Sequence, residues 1–122
     1  MAYTLKPEYR GHFKAHEDLS DKRYFLMKLH DEDEFDICGA DDPIYGILDD
    51  KPVALQAGKL CVKGIMKCIA GDVVAVGNRL KSDNQGRAIP VALDADEDNQ
   101  SVKLTALTAA AQADDIISVE IT

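Results

Sequence analysis

Lys59-Leu60-Cys61-Val62-Lys63-Gly64-Ile65-Met66-Lys67-Cys68-Ile69 is the stretch on which the fold turns. Leu60, Val62, Met66 and Cys68 share one side of an extended chain while Lys59, Lys63 and Lys67 share the other, so the period is two and a strand is predicted. Gly64 interrupts the apolar side at its centre, which predicts a bend or bulge of the kind that lets a small sheet curl. A closed or nearly closed barrel is the expected consequence. The alternating lysines are read as the solvated face of the strand, a pattern that also blunts edge pairing.

On the N-terminal side, Tyr24-Phe25-Leu26-Met27-Lys28-Leu29 is a strand candidate that runs into the acidic turn Asp31-Glu32-Asp33-Glu34. Phe35-Asp36-Ile37-Cys38 alternates as a return strand. Gly39-Ala40-Asp41-Asp42-Pro43 then punctuates the chain before Ile44-Tyr45-Gly46-Ile47-Leu48. On the C-terminal side Val73-Val74-Ala75-Val76 reads as a strand, Gly77-Asn78 as a turn before Arg79-Leu80-Lys81, and Asp83-Asn84-Gln85-Gly86 as the next turn. Residues 87–91 are a predicted strand that should lie at an edge or finish at Pro90, because proline cannot donate to a ladder. After the polar loop 94–101, residues 102–107 and 116–121 are predicted closing strands, and the Ala-rich 108–113 between them permits a helical turn. Gly46-Ile47-Leu48 before Gly58-Lys59-Leu60 is echoed by Thr105-Ala106-Leu107 before Asp115-Ile116-Ile117, which predicts two similar hairpin-like units.

Residues 1–23 show neither strand alternation nor a lasting helical stripe and are predicted to be an extended N-terminal arm, with residues 24–122 forming the β domain. At 122 residues a single domain is expected, burying roughly two thirds of the surface of its unfolded chain. The 46% hydrophobic content supports a folded core. The net charge of -8 disfavours binding to nucleic acid. Five basic against four acidic side chains give residues 1–23 a net +1 and leave -9 for the other 99 residues, so the arm is expected to meet a partner of its own. No stretch approaches the roughly 18 continuous apolar residues of a membrane span, and the start Met-Ala-Tyr-Thr has no apolar leader, so a protein made and assembled in a cytosol is expected.

The candidates for chemistry are few. No G-x-S-x-G, P-loop or dinucleotide-binding motif is present, and Ser20, Ser82, Ser101 and Ser118 are read as turn or strand-face residues. Cys38, Cys61 and Cys68 are odd in number and lack C-x-x-C spacing, which points to reduced core residues. His12 and His16, four apart with Glu17 and Asp18 beside them, would form half a metal site if helical, but Gly11 weakens a helix start and solvated arm residues are the expected reading. His30 is read as a strand-end residue. Asp94, Asp96 and Asp98 imitate the first half of a calcium loop, yet Asn99 and Thr105 stand where Gly and Glu are required, so a plain acidic loop is expected. Neither a metal nor a cofactor is therefore predicted.

The order of these elements resembles the capsid-decoration, or head-cement, proteins of tailed bacteriophages. The likeness is carried by residues 24–29, Tyr45-Gly46-Ile47-Leu48, Val62-Lys63-Gly64 through Ala70-Gly71-Asp72, Ser82-Asp83-Asn84-Gln85-Gly86-Arg87, and Asp115-Ile116-Ile117-Ser118-Val119-Glu120-Ile121, covering about residues 24–122. The resemblance implies a small β-barrel or β-sandwich that forms homo-trimers on the outside of a phage head. Its partner would be the major capsid protein, whose lattice it stabilises without catalysing a reaction. Tyr3, Leu5, Tyr9, Arg10 and Phe13 are the expected capsid-binding anchors, since aromatic and arginine side chains carry most interface energy. Two other classes compete: an accessory small-ligand-binding or lid barrel of a larger enzyme assembly, and a metal-dependent enzyme using His12, His16 and Glu17.

Overall fold

The computed structural model describes residues 6–91 and 104–122. Among these, regular structure is all strand: β1 (Glu8–Arg10), β2 (Lys14–Ala15), β3 (Leu26–Asp31), β4 (Glu34–Ile37), β5 (Gly46–Leu48), β6 (Leu60–Ile69), β7 (Arg79–Ser82), β8 (Ala88–Pro90), β9 (Leu104–Ala106) and β10 (Ile116–Ile121). They make one mixed sheet in the order β2-β4-β3-β5-β6-β10-β9-β7-β8, with β1 laid against β6. The β2–β4 pair is parallel and the other strand pairs are antiparallel. No described helix is long and apolar enough to cross a membrane.

Two cross-strand rows build the inner core. Leu26, Ile47 and Cys61 face one another across β3, β5 and β6, and Ile121, Leu104 and Leu80 do so across β10, β9 and β7; all six are buried in one cluster. A bend in β6 brings the rows together. Cys61 and Met66 both join this cluster although they are five positions apart, so a regular pleat would have sent them to opposite faces. Gly64 lies between them at φ 101°, where an added Cβ would meet the Pro7 Cα at 2.8 Å. The glycine expected to curl the sheet thus also reverses the facing of β6. Leu60 and Val62 consequently face away from the inner core, whereas the sequence pattern placed them with Met66 and Cys68. Lys59, Lys63 and Lys67 are exposed, as expected.

The fold is mainly β as predicted, but the sheet does not close. An isolated parallel bridge, Ala70 to Ala88, brings β8 beside the chain just past β6 without starting a ladder. Strand β8 is three residues long and ends on Pro90, which has no N–H to extend the pairing. Residues 73–76 are not a strand. The Val73 N–H is taken by Asp72 Oδ1 at 2.7 Å and the Ala75 N–H by Asn78 Oδ1 at 2.8 Å, leaving Val74 alone to bridge Ala110. The Ala-rich 108–113 is a turn held by Asp115 Oδ2, which accepts from the Ala111 N–H at 2.9 Å and the Gln112 N–H at 3.3 Å. The two echoed units are the antiparallel pairs β5–β6 and β9–β10.

Residues 6–23 are not a free arm. Strand β1 pairs with β6, β2 pairs with β4, and Ala15 and Leu19 lie with Met27, Phe35, Leu48 and Leu60 in a second buried cluster on the outer face of the first half-sheet. The segment is laced to the loop before β6: the Ala15 N–H donates to the Gln56 carbonyl at 2.9 Å, Leu19 to Pro52 at 3.0 Å, and Gly58 to Phe13 at 3.1 Å. No periodic signal marks this segment because each contact uses one or two residues between turns.

Leu19 is 1% exposed. Leu19→Ala should lower the unfolding free energy by about 2–5 kcal/mol in denaturant titrations; a change near zero would mean that the segment is not part of the core. A pH effect follows from Asp42, whose carboxylate accepts from Lys28 Nζ at 2.9 Å and from the Gly39 N–H at 2.7 Å. These bonds, Lys28 first, hold its pKa below the ordinary 3.8. A depressed native pKa stabilises above the unfolded value and is lost as pH falls through the native one. Asp42→Asn should therefore lower stability at neutral pH and flatten its fall below about pH 4.

Candidate functional site

The anchors expected from the sequence fall into three groups. Tyr3 and Leu5 lie outside the described residues. Tyr9 and Phe13 are half-buried against the protein's own body. The Tyr9 ring carries Lys59 Nζ 4.5 Å from its centroid, and burial, followed by the nearby Asp49 carboxylate, raises its hydroxyl pKa. Phe13 meets Tyr45 edge-on at 5.4 Å and His12 at 4.1 Å. Arg10 is exposed, its Nη1 resting on the Tyr9 carbonyl at 3.2 Å, and it sits on β1, whose second edge carries no described strand. An open edge beside an exposed arginine is a geometry that can receive another chain.

A second constellation joins residues the sequence kept apart. His16 follows β2, and its N–H donates to the Phe35 carbonyl of β4 at 2.9 Å. Its ring lies 3.7 Å from that of His30, and its Nδ1 is 2.9 Å from Glu34 Oε1. That bond raises the His16 pKa above the ordinary 6.5. The adjacent Asp36 carboxyl raises the Glu17 pKa above its ordinary value. His12, the expected partner of His16, stacks on Phe13 instead. His30 is the additional residue where the β3–β4 register slips between Leu29 and Asp31. No short spacing announces this meeting; only the register of the hairpin, which sets Lys28 opposite Asp36, could have found it.

An open groove of about 350 Å³ is lined by Arg23, Tyr24, Asp49, Met66 and Ser118 among others. Of its three charged side chains, Arg23 and Asp49 already satisfy each other, since Arg23 Nε and Nη2 lie 3.1 and 2.9 Å from Asp49 Oδ1, and Lys67 is the third. The Ser82 hydroxyl is buried and donates to the Asp83 carbonyl at 2.8 Å. Ser101 and the acidic loop with Asp94, Asp96 and Asp98 lie outside the described residues. Exposed apolar side chains that the sequence did not single out for function include Ile65 and Ile116 on the outer face of β6 and β10, and Val73 and Val76 in the loop before β7.

No protein-family model matches the chain, and no curated protein matches it either. Among solved structures, it is similar to the head fiber gp8.5 N base of bacteriophage phi29. The TM-score is 0.68 at 17% sequence identity, over 96% of this chain and 95% of that one. The chain shares its fold, end to end, with the base of a phage head fiber.

Cys38, Cys61 and Cys68 are unpaired and buried. Burial pushes the Cys38 and Cys68 thiols up to about 12 and raises that of Cys61 as well. A thiolate is the reactive form, so an aromatic disulfide reagent should leave all three untouched in the native protein and modify all three after denaturation. Rapid modification of the native protein would place a reactive thiol at its surface.

Proposed function

We propose that the chain is a structural protein of a bacteriophage head, bound to the outer surface of the shell through the major capsid protein and acting by contact without catalysis. The observation that carries this reading is the end-to-end likeness of its fold to the phi29 head fiber base. The sequence rhythm of the capsid-decoration proteins supports it from a separate direction. A ligand that binds the expanded shell and not its immature form adds its binding free energy to the stability of the expanded state. The acidic surface suits a coat outside the shell, because it offers no general affinity for packaged nucleic acid.

The packing of residues 6–23 bears on which of the expected anchors are proposed for the contact. Tyr9 and Phe13 are partly consumed in holding the segment to the body, so Arg10, the open edge of β1, and Tyr3 and Leu5 ahead of it are the proposed contact. Association into trimers through residues 24–122 completes the proposal.

Purified protein should co-sediment with empty expanded heads of its phage, and the free protein should sediment at three times its 13.3 kDa chain mass. Arg10→Glu should weaken head binding about tenfold or more, as loss of an interface arginine typically does, without changing the unfolding midpoint. Failure of the intact protein to associate with heads sinks the proposal. Undiminished binding by the variant moves the contact away from β1.

A further inference from the structure

We infer that the sheet edge formed by β2, β4 and β3 carries a site for a divalent transition-metal ion of the zinc type, ligated by His16, His30 and Asp36. One ligand atom from each lies within 4.8 Å of the other two. Three separate stretches supply them: His16 directly after β2, Asp36 within β4, and His30 at the β3 bulge. Bulges re-aim side chains, and this one sets an imidazole beside another from a chain segment that reaches the edge from elsewhere.

Two imidazoles and one carboxylate suit zinc and its first-row neighbours, whereas calcium and magnesium take oxygen ligands. Metal–ligand distances of about 2.0–2.2 Å put tetrahedral ligand atoms about 3.4 Å apart. The exposed rings would part from their stack and close in by about 1.4 Å at most. Glu34 already stands where an outer carboxylate belongs: accepting the Nδ1 proton of His16 at 2.9 Å, it leaves the Nε2 lone pair for the ion. Lys28, the cation opposite Asp36, is occupied by Asp42 at 2.9 Å. A bound ion would staple residue 16 to residues 30 and 36, fastening the N-terminal segment to the first half-sheet. This inference is independent of the phage-head reading.

Full-length protein stripped with a chelator should take up one Co²⁺ per chain, with the visible absorption bands of a low-coordinate site, and Zn²⁺ should displace it and raise the unfolding temperature. His30→Ala and Asp36→Ala should each weaken Co²⁺ binding by at least about tenfold, and Glu34→Gln by about 10–100-fold, the usual cost of losing an outer-shell partner. His12→Ala should leave binding unchanged. Circular dichroism checks that each variant is folded, which their exposed or half-buried positions favour. Absence of the Co²⁺ bands, equal binding by the folded His30 and Asp36 variants, or equal loss in His12→Ala would each overturn the assignment.

Discussion

The reversal of facing in β6 is the constraint from which the architecture follows. A ten-residue strand with an unbroken pleat presents one face to one core. With Gly64 at φ 101°, the same strand gives Leu60 to the outer cluster, Cys61 to the inner one, and then Met66 and Cys68 to the inner one again. It can therefore belong to two half-sheets, pairing with β5 and β1 before the glycine and with β10 from it onward. Fixed hydrogen bonds hold the halves together. The Leu26 N–H donates to the Gly86 carbonyl at 2.8 Å, and Tyr24 spans from the Leu48 carbonyl at 2.7 Å to the Ile69 N–H at 3.1 Å.

This arrangement leaves the first half-sheet with two buried faces, and the second of them needs a cover. Residues 6–23 supply it, which is why Ala15 and Leu19 are buried in a segment whose composition reads as solvated. An aromatic residue early in the chain is then ambiguous. Tyr9 and Phe13 carry the side chains of an interface anchor, and part of each is spent on its own fold. The Arg10 side chain and the free edge of β1, by contrast, are not used by the described fold.

Much of the fold is legible in the sequence. Strands β3 to β10 fall on or within two residues of the predicted runs, because antiparallel strands between turn residues announce themselves by alternation and by Gly, Asp and Pro punctuation. Residues 73–76 show the limit of that signal: three valines predict a strand, yet Asp72 and Asn78 capture the flanking N–H groups. The His16–His30–Asp36 cluster was illegible for a different reason. Its members come from three separate stretches of chain, and their meeting depends on a parallel contact and a one-residue slip in register.

By itself the sequence determined the class of fold, the edge position of Pro90, the burial of the three cysteines and the solvation of the lysine stripe, all of which depend on local period or on the chemistry of one residue. Tertiary structure alone decided that the sheet stays open, that residues 6–23 help build the core, and which imidazole meets which. Those outcomes hinge on the direction in which a bent strand sends its neighbours, and a pattern of hydrophobic period carries no record of direction.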